Sequence, residues 1–289
     1  MSFKNIIKKI IKRFIPIQQV KVSLFVVGAQ KAGTSALHDY LIKHPSVTGG
    51  TIKELNYFNH SEKYAQGTKW YHDQFKAPLF YKPKKIYIDS TPQYLSTANV
   101  AQKIYDYNPK VKIVILLREP VSRAYSAWNM YKQFSQLSAE RKSGLIDRHI
   151  SNNDKNKFDD LVNQSSFPSF DDYINKEIID GSLNNHYPQI IKRGIYAEQI
   201  KPYIDVFGLD NILVFESNYF KTNKAKVTNK VLEAVGLSPL TIPPNDLKSV
   251  HFRSYENPMS KFIEDKLKVF YKPHNKRLYN LIHQKFDWE

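Results

Sequence analysis

The sequence predicts an α/β protein, a single domain with a central parallel sheet that is flanked by helices. Short apolar runs alternate along the chain with amphipathic segments, which is the pattern of strands joined by crossover helices. Residues 111–117 are almost continuously apolar, as expected of a strand that is covered on both faces. The composition, with 42% hydrophobic and 24% charged residues in a chain of 289, is that of a globular protein with a sizeable core.

The first strand leads into a turn with two glycines and then into a helix. Residues 25–37 read FVVGAQKAGTSAL, and the helix is predicted to open at Thr34. The N-terminus of a helix carries unpaired N–H groups and partial positive charge, so it favours an anion. Lys31 and the hydroxyls of Thr34 and Ser35 add to this effect. The stretch therefore predicts a phosphate or sulfate site.

The spacing of this loop argues against a nucleoside triphosphatase. Such loops read G-x-x-x-x-G-K-[ST], whereas here Gly28 and Gly33 have the right separation but Thr34 stands in the place of the lysine. A nucleotide kinase or triphosphatase is kept as an alternative, and so is a non-catalytic module that binds polyanions.

Proline and glycine mark the limits of the later elements. The first helix ends near Pro45, because the residue before a proline is pushed out of the α region. Pro120 suits the first turn of a helix, and Gly236 suits a C-cap. Residues 60–84 are irregular and aromatic, and residues 133–166 form a polar segment that is either flexible or helical. Further strands are predicted at 85–89, 111–117 and 211–215, and helices at 100–107, 194–207, 224–235, 260–271 and 275–286.

The chain is strongly basic and contains no cysteine. Lysine and arginine outnumber aspartate and glutamate by 43 to 27, which gives a net charge of +16. A surface this positive attracts nucleotides, acidic glycans, nucleic acid or anionic lipid. The lack of cysteine excludes disulfides and thiolate metal sites and favours a reducing compartment.

Residues 1–16 stand apart from the domain that is predicted for residues 22–289. Apolar residues recur at helical spacing up to residue 15, where Pro16 ends the pattern, and basic residues fill the opposite face. Lysines interrupt the apolar face too often for a signal peptide. This basic amphipathic helix is either an anchor on an anionic membrane surface or a helix packed on the domain with a solvated basic face.

Several motifs in order resemble those of carbohydrate sulfotransferases that use 3′-phosphoadenosine 5′-phosphosulfate (PAPS). The resemblance is closest to the heparan sulfate N- and 3-O-sulfotransferase domain, in a bacterial-type, cytosolic form, and covers about residues 22–288. It implies the sulfotransferase variant of the P-loop NTPase fold. The segments that carry it are Lys31-Ala32-Gly33-Thr34-Ser35, Lys53 to Phe58, Asp89 to Tyr94, Arg118 with Ser126, Gly194 to Ala197, and Tyr271 to Trp288.

The resemblance implies a role for each matching residue. Glu54 aligns with the catalytic base of the family, and Lys31 is expected to stabilise the departing phosphate. Arg118 and Ser126 are expected to hold the 3′-phosphate. The 5′-phosphosulfate is expected on Lys31, Ala32, Gly33, Thr34 and Ser35, and further donor contacts are assigned to Tyr196, Lys248, His251 and Arg253. No metal ion is expected to take part.

The acceptor is expected to be a carbohydrate or glycolipid, such as an exopolysaccharide precursor. Its contacts are assigned to Lys53, Asn56, Asp89, Ser90 and Tyr94. Two of these depart from the family pattern, because the 3-O-sulfotransferases have histidine where Asn56 stands and lysine where Ser90 stands. A lipid or small phenolic acceptor is the alternative, and nucleic acid is not expected. We expect a cytoplasmic enzyme that is peripheral on the inner face of the cytoplasmic membrane.

Overall fold

Five parallel strands form one sheet in the computed structural model, which describes residues 20–75, 85–164, 166–179, 187–241 and 258–288. Their order in the sheet is β2-β3-β1-β4-β5. The strands are β1 (Val22–Gly28), β2 (Val47–Gly49), β3 (Ile86–Ser90), β4 (Lys112–Leu117) and β5 (Ile212–Glu216). The predicted α/β class and parallel sheet are confirmed.

Helices connect and cover these strands. Those that carry the site are α1 (Thr34–Leu41) after β1 and α5 (Pro120–Ser135) after β4. Around them lie α2 (Ser61–Tyr64), α3 (Gly67–Asp73), α4 (Val100–Tyr107), α6 (Ala139–His149), α7 (Lys155–Val162), α8 (Phe170–Ile179), α9 (Tyr196–Phe207), α10 (Ser217–Thr222), α11 (Lys224–Ala234) and α12 (Lys261–Ile282).

The strand β1 lies at the centre of the sheet and pairs with β3 on one side and β4 on the other. Phe25 is in register with Asp89 on β3 and with Ile113 on β4. The side chains of β1 and β4 are almost entirely buried, which explains why both strands are nearly continuous apolar runs. A second apolar cluster lies between α5, α7, α8 and α12.

One long segment takes one of the two forms that were predicted for it, and another differs from its prediction. Residues 133–166 are mostly helical, since α5 extends to Ser135 and is followed by α6 and α7. The prediction of two terminal helices is wrong, because α12 runs unbroken from Lys261 to Ile282 with Pro273 inside it. A proline removes one helical hydrogen bond, but buried side chains on both sides of it, such as Tyr271 and Leu278, keep the helix on the core.

The predicted N-terminal helix at residues 1–15 lies outside the described residues. None of the helices in the described ranges is long and apolar enough to cross a membrane.

Candidate active site

A pocket of about 300 Å³ lies at the carboxyl ends of β1 and β4. Ligands of open α/β sheets bind at this edge, because the loops after adjacent parallel strands meet there. The pocket brings together seven of the residues that were predicted for the site, namely Lys31, Gly33, Thr34, Ser35, Glu54, Arg118 and Ser126. These residues span 96 positions of sequence, and the sheet places them around one space.

The loop between β1 and α1 is shaped by glycine. Gly33 has φ 100° directly before the first residue of α1, a conformation that L-residues rarely adopt. A Cβ atom on Gly28 would lie 2.5 Å from the side chain of Leu95, so only glycine fits where β1 ends. No side chain of the described residues caps the start of α1, and its first N–H groups are therefore available to an anion.

Ala32 does not contribute as predicted. Its side chain is fully buried, and its N–H donates to the carbonyl oxygen of Ala29 at 3.2 Å. The side chain of Ala32 therefore packs inside the protein and its N–H is hydrogen-bonded within the loop. Ala32 supports the shape of the pocket without lining it.

The turn between β4 and α5 positions Arg118 and Ser126. The carboxylate of Glu119 caps α5 by accepting hydrogen bonds from the N–H groups of Val121 at 2.9 Å and Ser122 at 2.6 Å. Arg118 Nη1 donates to the carbonyl oxygen of Lys31 at 3.3 Å, which ties this turn to the loop after β1. Ser126 lies six residues into α5 and lines the same pocket.

Tyr196 lies behind Arg118 and not in the pocket. Its hydroxyl donates to the carbonyl oxygen of Arg118 at 2.8 Å, and its side chain is buried. The predicted contact of Tyr196 with the donor is therefore replaced by an indirect role, in which the tyrosine holds the backbone from which Arg118 extends.

Lys221 is a pocket residue that the sequence analysis missed. It belongs to α10, which follows the carboxyl end of β5, and it lines the pocket with Lys31 and Arg118. Burial and, to a lesser extent, the positive charge of Arg118 lower the pKa of Lys221. No sequence motif marks Lys221. The only indication in the sequence that it belongs to the site is that it follows a predicted strand, whose carboxyl end lies at the same edge of the sheet.

Glu54 lies in the loop after β2, at the rim of the pocket, and its backbone is strained. Its φ is 64°, which costs free energy for any residue other than glycine. The amide of Asn56, itself at φ 56°, donates to the carbonyl oxygen of Glu54 at 3.0 Å and supports this shape. Lys53 Nζ donates to Glu54 Oε1 at 2.6 Å, so one carboxylate oxygen is held by its neighbour.

Four of the residues that were assigned to the acceptor lie in the core. Asn56, Asp89, Ser90 and Tyr94 are each at most 1% exposed, and such side chains cannot contact a substrate. Burial raises the pKa of Asp89, whose carboxylate accepts from the hydroxyls of Tyr71 at 2.8 Å and Tyr94 at 2.9 Å. These four assignments are corrected to structural roles.

These buried groups nevertheless support the rim of the pocket. Tyr94 OH, which donates to Asp89, also accepts from the N–H of Tyr57 at 3.0 Å. It thereby fixes the chain three residues after Glu54. Ser90 Oγ lies 2.8 Å from Nδ1 of His38 on α1. The network joins β3, α1 and the Glu54 loop under the site.

A second cleft of about 420 Å³ opens on the other side of Glu54. It shares Gln30, Ser35, Glu54, Gln93 and Met130 with the first pocket. Lys53, the one predicted acceptor residue that stays at the surface of the site, lines this cleft. Glu54 thus stands between two connected spaces.

His149 is the second residue that the sequence analysis missed. It ends α6 and lines the cleft, with Nδ1 3.6 Å from Glu54 Oε2. Burial lowers the pKa of His149, and the nearby Glu54 carboxylate opposes this shift. No hydrogen-bond partner within the described residues is assigned to Nδ1. No sequence motif marks the polar segment that contains His149. Only the packing of α6 brings His149 close to Glu54.

A family model for the sulfotransferase domain matches residues 21–276. The chain belongs to the sulfotransferase family. It is therefore an enzyme, a sulfotransferase, and the resemblance that the motifs carried is confirmed.

Several proteins are similar to this sulfotransferase. The membrane-associated sulfotransferase kil1 of Dictyostelium discoideum is 22% identical over 346 residues, which cover 100% of this chain and 72% of that protein. The mouse heparan sulfate glucosamine 3-O-sulfotransferase 5 is 37% identical over 110 residues, 38% of this chain and 30% of that enzyme. The mouse bifunctional heparan sulfate N-deacetylase/N-sulfotransferase 4 is 24% identical over 285 residues, 90% of this chain and 30% of that enzyme.

A solved structure shares the fold. The crystal structure of a sulfotransferase from Alicyclobacillus acidocaldarius has a TM-score of 0.65 and 24% identity, and the match covers 92% of this chain and 98% of that one. It supports the sulfotransferase variant of the P-loop fold for this chain.

Three predicted donor residues of the sulfotransferase, Lys248, His251 and Arg253, lie outside the described residues. Within the described ranges, no group of three or more His, Cys, Asp or Glu side chains is placed to hold a metal ion.

Proposed function

We propose that this sulfotransferase transfers a sulfonate group from PAPS to a hydroxyl or amine of a carbohydrate acceptor. The observation that carries the proposal is the composition of the first pocket. Lys31 and the uncapped start of α1 line it together with Arg118, Ser126 and Lys221, and Glu54 stands at its rim. PAPS carries a phosphosulfate at one end and a phosphate at the other. In this pocket its anionic groups would meet hydrogen-bond donors and positively charged side chains.

The residues of the chain have distinct tasks in this proposal. PAPS supplies the sulfonate and, as the S–O bond breaks, a phosphate oxygen that gains negative charge. Lys31 and the N–H groups of α1 stabilise that charge. Glu54 accepts the proton of the acceptor as its oxygen or nitrogen bonds to sulfur. Lys53 holds Oε1, which leaves Oε2 to take the proton on the side of the second cleft.

The carbohydrate acceptor is supported by the names of the relatives. Two of them act on heparan sulfate according to those names, and the chain spans 30% of the length of each. The second cleft begins at Glu54, where an acceptor must lie to meet the sulfur. A lipid or small phenolic acceptor uses the same chemistry at Glu54 and is the alternative acceptor.

Calorimetry with 3′-phosphoadenosine 5′-phosphate (PAP), the nucleotide product, tests the donor. We expect PAP to bind more tightly than ATP and without Mg²⁺, because the loop presents cations and N–H groups and lacks the lysine position of triphosphatases. Tighter binding of ATP that depends on Mg²⁺ would overturn the proposal in favour of a kinase or triphosphatase.

We also propose that residues 1–15 hold the enzyme at the inner face of the cytoplasmic membrane. The basic amphipathic pattern of this stretch supports the proposal. The similar protein kil1 is named as a membrane-associated sulfotransferase, which also supports it. Deletion of residues 1–15 should abolish sedimentation with vesicles that contain phosphatidylglycerol, while binding to neutral vesicles stays low in both forms. Equal sedimentation of the full chain and the deletion variant would contradict the anchor.

A further inference from the structure

One face of α5 runs from the donor pocket into the second cleft. Ser126, Met130 and Phe134 are four residues apart, a spacing that places side chains in one line along a helix. Ser126 lines the donor pocket, Met130 lines both spaces, and Phe134 lines the second cleft. The face therefore changes from a hydroxyl to apolar groups as it passes Glu54.

Other elements extend this apolar surface around the cleft. Leu145 on α6 and Ile52 beside the Glu54 loop line it and keep part of their surface in water, whereas Phe158 on α7 also lines it but is fully buried. Ile52 is 41% exposed, and Met130, Phe134 and Leu145 are half-buried. Water-facing apolar side chains that converge next to a reacting group indicate that part of a ligand covers them.

The polar residues of the cleft lie close to Glu54. Lys53 donates to Oε1 of Glu54, and His149 lies 3.6 Å from Oε2. Leu145 and His149 are four residues apart on α6, so the apolar and polar parts of that wall follow each other by one helical turn. The cleft thus has a polar end at Glu54 and an apolar wall on α5 and α6.

We propose that the acceptor is amphipathic: its sugar meets Glu54, and an alkyl or aryl group attached to that sugar packs on Met130, Phe134 and Leu145. This inference rests on the proposed function and narrows its acceptor to glycolipids or related glycosides. A free acidic polysaccharide would leave the apolar wall in water, whereas each methylene that an alkyl group buries there contributes about a fourfold gain in affinity.

Binding of methyl and octyl β-glucoside to the enzyme saturated with PAP tests the proposal. Both probes carry the same sugar, and calorimetry is run below the concentration at which octyl glucoside forms micelles. We expect the octyl compound to bind at least about 10-fold more tightly, since burial of only two methylenes already gives that factor. Phe134→Asn and Leu145→Asn should each lower this preference several-fold.

The matched control is Val269→Asn, which makes the same kind of change on α12, where Val269 is 74% exposed and lies outside both spaces. Val269→Asn should leave the ratio of octyl glucoside affinity to methyl glucoside affinity unchanged. If both cleft variants fail to fold by thermal melting, Ile52→Asn at an exposed loop position replaces them, and it should also lower the preference.

Equal binding of the two glucosides, no binding of either, or a preference that survives all cleft substitutions would overturn the amphipathic acceptor. Each of these results leaves PAP binding intact. Loss of PAP binding by the unmodified enzyme would instead contradict the proposed function, so the two failures are distinguishable.

Discussion

At the scale of single residues, the site depends on the two oxygens of Glu54. Oε1 accepts from Lys53 at 2.6 Å, and Oε2 faces His149 at 3.6 Å. The positive φ of Glu54 and the hydrogen bond from Asn56 hold the side chain between the two spaces. A carboxylate fixed in this way can accept a proton on one oxygen without releasing its contact on the other.

Glu54→Gln keeps the size of the side chain but removes the carboxylate, so sulfonate transfer should fall by about 10²- to 10⁴-fold. PAP affinity should change by less than about twofold, because general-base action is not a binding contact. Initial rates with labelled donor and calorimetry with PAP measure the two effects.

Glu62→Gln serves as the control for this substitution. Glu62 is a nearby carboxylate on α2 that does not line either space within the described residues, so this variant should keep its activity. A Glu54→Gln enzyme that transfers at the normal rate would remove Glu54 from the mechanism.

At the scale of elements, the first pocket, which is the proposed donor site, depends on the loop between β1 and α1. Gly33 supplies the positive φ from which α1 starts. The nearest atoms to a Cβ at this position belong to Phe220, at 3.6 Å, which is an ordinary contact. Position 33 therefore requires glycine because of its backbone conformation, and not because a Cβ atom would clash.

Gly33→Ala should lower the free energy of unfolding by about 1–2 kcal/mol, the cost of an L-residue in the left-handed region. It should also lower PAP affinity by about 10-fold or more, because relief of the strain moves the N–H groups of the loop. Urea denaturation and calorimetry measure these effects.

Gly208 provides a matched control for the backbone effect. It also has a positive φ, at 72°, with no atom within 4 Å of an added Cβ, and it follows α9. Gly208→Ala should lose at least as much stability, because its ψ of 150° lies in a region that is essentially restricted to glycine, and it should keep its PAP affinity. Equal PAP affinity in both variants would show that the conformation of the loop is not needed for the donor.

The parts of the site that could be predicted from the sequence are local or lie at strand ends. Lys31, Glu54 and Arg118 belong to short motifs that follow strands, and parallel strands bring such loops to one edge. Lys221 and His149 could not be predicted, because only the packing of α10 and α6 brings them to the site. The acceptor assignments of Asp89 and Tyr94 failed because a motif does not indicate whether a polar side chain faces the pocket or the core.

At the scale of the whole molecule, buried histidines couple folding to pH. His38 and His60 are 6% and 1% exposed, and burial lowers the pKa of each to about 4. Their ordinary pKa of 6.5 applies in the unfolded chain. Between these two values the unfolded chain binds protons that the folded chain does not, so stability rises with pH in this window.

As pH falls from 6.5 to 4, His38 alone should lower the free energy of unfolding by about 3 kcal/mol. His38→Gln removes the titrating group, so the stability of this variant should decline less steeply over the same range. Urea denaturation followed by tryptophan fluorescence at pH 7, 5.5 and 4.5 measures both slopes, and parallel curves would contradict the prediction.

The line of Ser126, Met130 and Phe134 on α5 constrains how the enzyme can diverge. Each residue of an α-helix is rotated by about 100° from the one before it, so one extra residue after Ser126 would turn Met130 and Phe134 away from the cleft. Ser126 would keep its position in the first pocket. Substitution of side chains on this helix therefore changes the surface of the second cleft and keeps the line intact, whereas a residue inserted or removed between the two pockets breaks the line.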